Sequence, residues 1–264
     1  MIEIGIIGGT GIYDPSILEN VHEAETLTPY GNVSYKVGDY AGKSIAFIPR
    51  HGTSHSIAPH LIKYRANIWA LKKIGVKNIL ATAAVGSLNL SMKLGDFVVV
   101  DQFIDFTKNR INTFYEGGNS GVIHVDFTTP YCPTMGKTLF HVGQSMGIAI
   151  HSKGTYVCTE GPRFETPAEI AMFAKLGGDI VGMTNVPEVV LAREAEICYS
   201  AIGMVTNFAA GISPNPLTYG EVIEIMNQNT ENLKRLLMNT IQLIDTSADC
   251  NCKTALAEYG GFKF

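Results

Sequence analysis

Residues 3–14 read EIGIIGGTGIYD, and this stretch decides how the rest of the chain is read. Ile4, Ile6 and Ile7 make a short apolar run of β-branched residues, the pattern of a buried strand. Gly8, Gly9 and Gly11 follow at once, with Thr10 among them. A strand running into such a turn opens an α/β unit. A loop at the end of a parallel strand suits an anion, because glycines let backbone N–H groups approach closely. A dinucleotide fingerprint is not completed: Gly9 and Gly11 begin one, but Asp14 stands where its third glycine belongs. No Gly-Lys-Ser/Thr follows either, so the P-loop pattern fails too. On its own the loop reads equally well as a bare phosphate site or as a plain tight turn.

Similar runs recur along the chain: SIAFIP (44–49), NILATA (78–83), DFVVVD (96–101), TYVCT (155–159), DIVGM (179–183) and IGMVTN (202–207). Helical stripes separate them. Leu61, Tyr64, Ile68, Leu71 and Gly75 follow Pro59 at helical spacing. Residues 168–176 follow Pro167, which suits a first helical turn. Residues 221–244 put Val222, Ile225, Met226, Leu233, Leu236, Leu237, Ile241 and Ile244 on one face. Strands alternating with helices predict a single-domain α/β fold with a central mixed, mostly parallel β-sheet flanked by helices. No linker, repeat or low-complexity segment interrupts it. The domain is expected over 1–245, with a tail at 246–264. Segment 103–135 is polar, glycine-rich and aromatic, and reads as a long functional or interface loop.

Composition excludes several function classes. Hydrophobic residues make up 46% of the 264 and charged residues 17%, enough for a buried core. The net charge of −4 and the lack of a basic run argue against nucleic acid as a partner. No apolar stretch reaches the ~18–20 residues of a membrane helix. The N-terminus shows no basic region or cleavage site, so no signal peptide and a cytoplasmic location are expected.

Two more loops resemble the first in chemistry. PRHGTSH (49–55) offers Arg50, whose fork suits a phosphate, and His51 as a further donor. TAAVGS (82–87) offers small residues and backbone N–H groups at a strand end. Three anion-friendly loops after three strands point to a bare anion. No metal is expected: His51, His55 and His60 lack regular spacing and a nearby carboxylate. Of the five cysteines none forms a C-x-x-C pair, so cysteine ligation has little support. Cys250-Asn251-Cys252 reads as two free thiols near a surface terminus, or as a disulfide within the pair or between subunits.

The chain also resembles a known family. GIIGGTG (5–11), RHG (50–52), ANIWALK (66–72), GDFVVVDQFID (95–105), HSKGTYVCTEGPRFET (151–166) and MTNVPEVVLAREAEI (183–197) look like the trimeric purine nucleoside phosphorylases. Within these the resemblance is to methylthioadenosine phosphorylases and their methylthioinosine-cleaving relatives, in order from about residue 3 to 245. It implies phosphorolysis: inorganic phosphate, a co-substrate, attacks C1′ of a purine nucleoside and the purine leaves, with no metal or organic cofactor. It places phosphate among Thr10, Arg50, His51, the Ala84 backbone and Thr184, and Met183 under the ribose. Ala83 departs from the pattern, standing where the methylthioadenosine enzymes carry a hydroxyl. A homotrimer or homohexamer is implied, with His124 lent to a neighbouring subunit's site.

The same resemblance frames the base site. Where the adenine-specific branch has two aspartates, this chain has Asn207 and Ala209. An Asn207 amide accepts from a protonated N7 and donates to O6. Glu165 accepts from N1–H, which 6-oxopurines have and adenine lacks, and Phe164 stacks on the base. These two polar residues are the expected catalytic pair. Read alone, Asn207 also fits a strand-end cap, and Glu165 a first-turn acid before the 168–176 helix. Tyr219 stands where inosine enzymes place a histidine for the 5′-hydroxyl, with Val222 and Ile223 behind it, and this apolar lining suits a methylthio group. The expected reaction is 5′-methylthioinosine plus phosphate to hypoxanthine and 5-methylthioribose 1-phosphate, with inosine or guanosine also possible. Methylthioadenosine is the alternative substrate; a nucleosidase, a non-catalytic purine or phosphate sensor and an oxidoreductase are the rival classes.

Overall fold

The computed structural model describes residues 2–9, 18–52, 56–213 and 218–264. Strand β1 (Ile4–Gly8) is buried at every position, as a strand covered on both faces should be. It lies parallel to β4 (Lys43–Pro49) on one side and to β5 (Asn78–Ser87) on the other. β5 also pairs in parallel along its length with β11 (Cys198–Phe208). Near its end, Gly86 and Ser87 pair with β10 (Ile180–Gly182) in the antiparallel sense. The sheet therefore forks at the end of β5. One branch runs through β10, β9 (Thr155–Thr159) and β7 (Gln102–Phe106). The other runs through β11, β6 (Phe97–Val100) and the short β8 (Ile150–His151).

The far edge is an antiparallel hairpin, β2 (Glu19–Thr28) and β3 (Gly31–Tyr40), added beside β4. The sequence reading did not anticipate it. Its residues alternate between core and solvent, with Val33, Tyr35 and Val37 buried, so it lacks the continuous apolar run of an interior strand. A second correction concerns TAAVGS. Residues 82–87 are not a loop after the strand but its last turn-free half, still paired to β11. The sheet is α/β and mixed, as expected.

Helices cover both faces. α1 (Tyr64–Lys73) and α4 (Asn185–Glu194) pack on one face through Ile68, Leu71, Val189 and Leu191. α2 (Pro133–Ser145) and α5 (Tyr219–Leu243) pack on the other through Leu139, Leu236, Leu237 and Ile241. α2 and α4 were not read from sequence. α3 (Pro167–Lys175) closes the end of the β9–β10 branch with Ile170 and Phe173. Local signals account for the helix ends. Gly75, at φ +99°, ends α1, and the Val76 N–H returns to the Leu71 carbonyl at 3.0 Å. Lys43 Nζ donates to the Ile241 and Ile244 carbonyls at 2.7 and 2.6 Å, covering groups that the end of α5 leaves unpaired. Segment 107–132 is largely irregular, yet Phe114, Tyr115 and Tyr131 within it are buried. The tail also packs: Leu256 is fully buried, and Glu196 accepts from the Leu256 and Phe262 N–H groups.

Candidate active site

A cavity of about 530 Å³ opens where the sheet forks. That volume lies in the usual range for small-molecule sites. Its floor is the end of β5, from Thr82 to Gly86, flanked by Val181 and Gly182 of β10 with Met183 and Thr184 after it, and by Met204, Thr206 and Asn207 of β11. Strand periodicity would send Met204 and Thr206 to one face and Asn207 to the other. A bulge between Val205 and Asn207 breaks that alternation: Val205 pairs with Val85 and Asn207 with Gly86, leaving Thr206 extra. Bulges of this kind re-aim side chains beside active sites. Here the bulge brings Thr206 and Asn207 to the cavity together.

Asn207 is buried and its amide is oriented. The Thr206 hydroxyl donates to Oδ1 at 2.9 Å, and Nδ2 donates to the Phe208 carbonyl at 3.0 Å. An amide has two donor hydrogens and two acceptor lone pairs. One of each remains for a ligand. Glu165 lines the same cavity, with the Thr159 hydroxyl donating to Oε1 at 2.7 Å. Burial raises its pKa above the usual carboxylate value, against that hydrogen bond. It does not cap α3. Thr166 and Glu169 do so in a capping box, which leaves Glu165 to the cavity. Phe164, partly exposed, and Met183 complete this wall.

The anion side is built differently from the sequence expectation. Arg50 lines the cavity and is buried, but its fork grips a carboxylate: Nε and Nη2 donate to the two Glu188 oxygens at 2.8 and 2.7 Å. Nη1 donates to the Thr82 carbonyl at 2.7 Å, and Nη2 also reaches the Ile7 carbonyl. The bidentate face is thus committed inside the protein, so a fork-to-phosphate contact is not the geometry observed. Five N–H groups less these four bonds leaves one, on Nη1. Glu188 is itself oriented by the Tyr199 hydroxyl at 2.8 Å. The sequence reading missed both partners, although Glu188 lies inside the quoted MTNVPEVVLAREAEI motif.

His51 Nδ1 donates to the Ile57 carbonyl at 2.8 Å, which sets the ring's angle to the cavity. The Ala84 backbone and Thr184 lie on the cavity lining; Thr184 is the N-cap residue of α4, and its side chain makes no capping bond. Thr82 adds something unforeseen. Its Oγ1 is buried on this lining with no partner among the described residues. Thr10 lies outside the described residues, as does His55. Tyr219, Val222 and Ile223, at the start of α5, line the opposite end with Met226 and Leu233. His124 is exposed and does not line its own chain's cavity.

The comparisons with known proteins fit this architecture. Residues 3–242 match the phosphorylase superfamily. The chain belongs to that superfamily. With it comes the enzyme class, a pentosyltransferase of the nucleoside phosphorylase type. The chain is 57% identical to a probable 6-oxopurine nucleoside phosphorylase of Dictyoglomus turgidum, covering 98% of each chain. It is 49% identical to a probable S-methyl-5'-thioinosine phosphorylase of Methanothermobacter thermautotrophicus, over 96% of this chain and 88% of that one. Among solved structures, methylthioadenosine phosphorylase from Schistosoma mansoni in complex with adenine superposes with a TM-score of 0.90. It is 34% identical, over 98% of this chain and 97% of that one.

The expectation for the cysteines needs correction. Cys250 and Cys252 are not thiols at a surface terminus. Cys252 is buried, Cys250 half-buried, and both sit against Cys132 and Cys198. Spacing along the chain gave no sign of this. Among the described residues, no helix is long and apolar enough to cross a membrane.

Proposed function

We propose that this phosphorylase cleaves 6-oxopurine nucleosides with inorganic phosphate, and that 5′-methylthioinosine fits its site best. The observation that carries the reading is the spare hydrogen-bonding capacity of Asn207 beside Glu165. A 6-oxopurine presents O6 as acceptor, N1–H as donor and, as it departs, N7–H as donor. The spare Asn207 N–H and Oδ1 lone pair match O6 and N7–H, and the Glu165 carboxylate matches N1–H. A 6-aminopurine offers a donor in place of O6 and an acceptor in place of N1–H. Each mismatch leaves a buried group unpaired at about 1–3 kcal/mol, so the site discriminates strongly.

The chemistry rests on this arrangement. Phosphate sits between the Ala84 backbone, His51, Thr184 and the remaining Arg50 N–H; the family resemblance adds Thr10, which lies outside the described residues. The Thr82 hydroxyl stands one residue before Ala83, where the family's hydroxyl is replaced. A phosphate oxygen forms the new bond to C1′ as the C1′–N9 bond breaks, and the bonding pair leaves with the purine; N7 takes a proton from solvent, and the phosphate ester returns its own proton to solvent. The anion below the ring stabilises positive charge on the sugar, over Met183. Above it, the Asn207 carbonyl holds the proton at N7 of the leaving base. Both interactions strengthen in the transition state, which is where binding accelerates reaction. No metal or organic cofactor enters these steps.

At the other end, Val222, Ile223 and Met226 with Tyr219 make an apolar wall. It favours a methylthio group by ~0.8 kcal/mol per buried methylene-sized unit. Selectivity over inosine and guanosine is therefore moderate, and the names of the relatives favour those nucleosides as a second reading. Exposed His124 suits a neighbouring subunit's site in a homotrimer or homohexamer. A cytoplasmic enzyme acting on free nucleosides is the setting we infer.

The test is purine release from methylthioinosine, methylthioadenosine, inosine and guanosine, each with and without phosphate. Methylthioinosine turning over fastest, and only with phosphate, is the expected result. Methylthioadenosine turning over fastest overturns the base-site assignment; turnover without phosphate overturns phosphorolysis in favour of hydrolysis.

A further inference from the structure

Four of the five cysteines converge at one point, and none of the four lines the cavity. Cys132 is the N-cap residue of α2, Cys198 opens β11, and Cys250 and Cys252 belong to the tail. Their sulfurs all lie within 4.8 Å of one another, and Cys132 Sγ is 3.7 Å from Cys250 Sγ. Four thiolates held tetrahedrally at ~2.3 Å from a zinc ion stand ~3.8 Å apart. We propose that these four thiols form a structural site for one tetrahedral, thiolate-bound divalent cation, zinc by its chemistry.

The surroundings support a closed site of this kind. Cys132, Cys198 and Cys252 are buried in the apolar cluster that also holds Met135, Leu139, Leu233 and Ile202, with Cys250 packed against it. The donor set is all sulfur, which selects a borderline or soft cation over magnesium or calcium. Two ligands come from the folded core and are held together by the backbone: the Cys132 N–H donates to the Tyr199 carbonyl at 2.8 Å, one residue from Cys198. The other two come from a C-x-C, shorter than the usual pairing of zinc ligands. Extended backbone at Cys250 (φ −151°, ψ 134°) leads into the 3-10 turn Asn251–Thr254, and this brings both sulfurs to the core pair.

A cation here ties the tail to the start of α2 and β11. The last twelve residues of the chain, 253–264, then leave from a fixed origin. Leu256 is buried, Phe262 packs edge-on against Phe114, and Phe264 against Trp69. Tyr259 reaches the His124 backbone with its hydroxyl at 3.4 Å. Binding displaces the thiol protons, so it is coupled to both folding and pH.

The experiment uses the full chain, purified chelator-free in two parallel preparations, one with reductant for metal titration and one without for intact mass. Metal content is measured by mass spectrometry, and the metal-stripped protein is titrated with cobalt(II). The expected result is one equivalent of zinc per chain. Cobalt should give the intense visible absorption of a tetrahedral thiolate complex, and removing the metal should lower the melting temperature. Cys250→Ser with Cys252→Ser should abolish the cobalt spectrum, whereas Cys158→Ser, outside the cluster, should leave it intact. Two results overturn the proposal. One is an intact mass lower by four hydrogens with no metal, which means that the thiols pair as two disulfides. The other is four reactive thiols that give no cobalt spectrum.

Discussion

Replacing Asn207 by aspartate tests the base site at its centre. The amide nitrogen of Asn207 donates to the Phe208 carbonyl at 3.0 Å and keeps one hydrogen, which the proposed reading assigns to O6 of the base. Asn207→Asp removes both donations and sets an oxygen against each acceptor. The loss at O6 alone costs about 1–3 kcal/mol in a buried site. A carboxylate also opposes the negative charge that gathers on the departing purine, so about 2–4 kcal/mol is expected in the transition state. At 1.36 kcal/mol per tenfold, kcat/KM for methylthioinosine falls by roughly 30- to 1000-fold. Methylthioadenosine differs only at the purine, and its 6-amino group gains an acceptor. The decisive quantity is therefore the methylthioinosine/methylthioadenosine ratio of kcat/KM, read by purine release at saturating phosphate. The lost bond to Phe208 affects folding as well; a cost near 1 kcal/mol lowers Tm by about 2–4 °C, which a melting curve separates from the kinetic effect. A ratio that moves less than about threefold, or an equal loss for both substrates, would refute the assignment of Asn207 to O6 and N7.

Four further outcomes are expected from the same geometry. Because burial raises the Glu165 pKa, acidification should protonate it earlier than an ordinary carboxyl and raise KM for 6-oxopurine nucleosides, and Glu165→Gln should flatten that acid limb. The linkage has a definite sign: a carboxyl with a raised folded-state pKa supports the fold at low pH and loses that contribution as pH rises, so Glu165→Gln should melt no lower than the parent at neutral pH. Removing Glu188 strands the buried Arg50 charge; burial opposes that charge and Glu188 restores it, so Glu188→Ala should cost about 3–5 kcal/mol by denaturant titration, and a cost below about 1 kcal/mol would mean that Arg50 finds another partner. A methyl group added at Gly86 would sit 3.0 Å from Asn207 Nδ2 and 3.2 Å from Val181, so Gly86→Ala should lower kcat/KM through the base site while KM for phosphate stays within about twofold.

The legible parts of this chain are those where the signal is local. Buried strands announce themselves as apolar runs, and β1, β4 and β9 lie within a residue of where the sequence puts them. Gly75 and Pro167 mark helix ends by backbone chemistry that needs no tertiary partner. The β2–β3 hairpin escaped because an edge pair with one wet face has no such run. The cavity residues were legible by type: an amide, a carboxylate and an aromatic ring suit a 6-oxopurine wherever they meet. Their aim was not. Asn207 reaches the cavity because one extra residue at Thr206 shifts the register of β11 against β5, and no feature of TNFAAG shows that shift.

Arg50 shows why residue type alone falls short. A guanidinium fork fits a phosphate and a carboxylate equally well. The sequence places Arg50 after a strand, in a loop suited to anions, and phosphate is then the natural partner. In the fold a carboxylate 138 residues away takes the fork, and only the contact between α4 and the end of β4 reveals it. The consequence for catalysis is specific. Arg50, held by Glu188 and by the Thr82 and Ile7 carbonyls, ties β1, β4, β5 and α4 together beside the cavity, where the proposed phosphate site needs a rigid backbone. Its charge is largely balanced by Glu188, so on the proposed reading more of the anion's stabilisation falls on N–H and O–H dipoles: the Ala84 backbone, Thr184 and the Thr82 hydroxyl, which has no partner among the described residues. Such dipoles are fixed before substrate arrives, and fixed dipoles stabilise a transition state without reorganising.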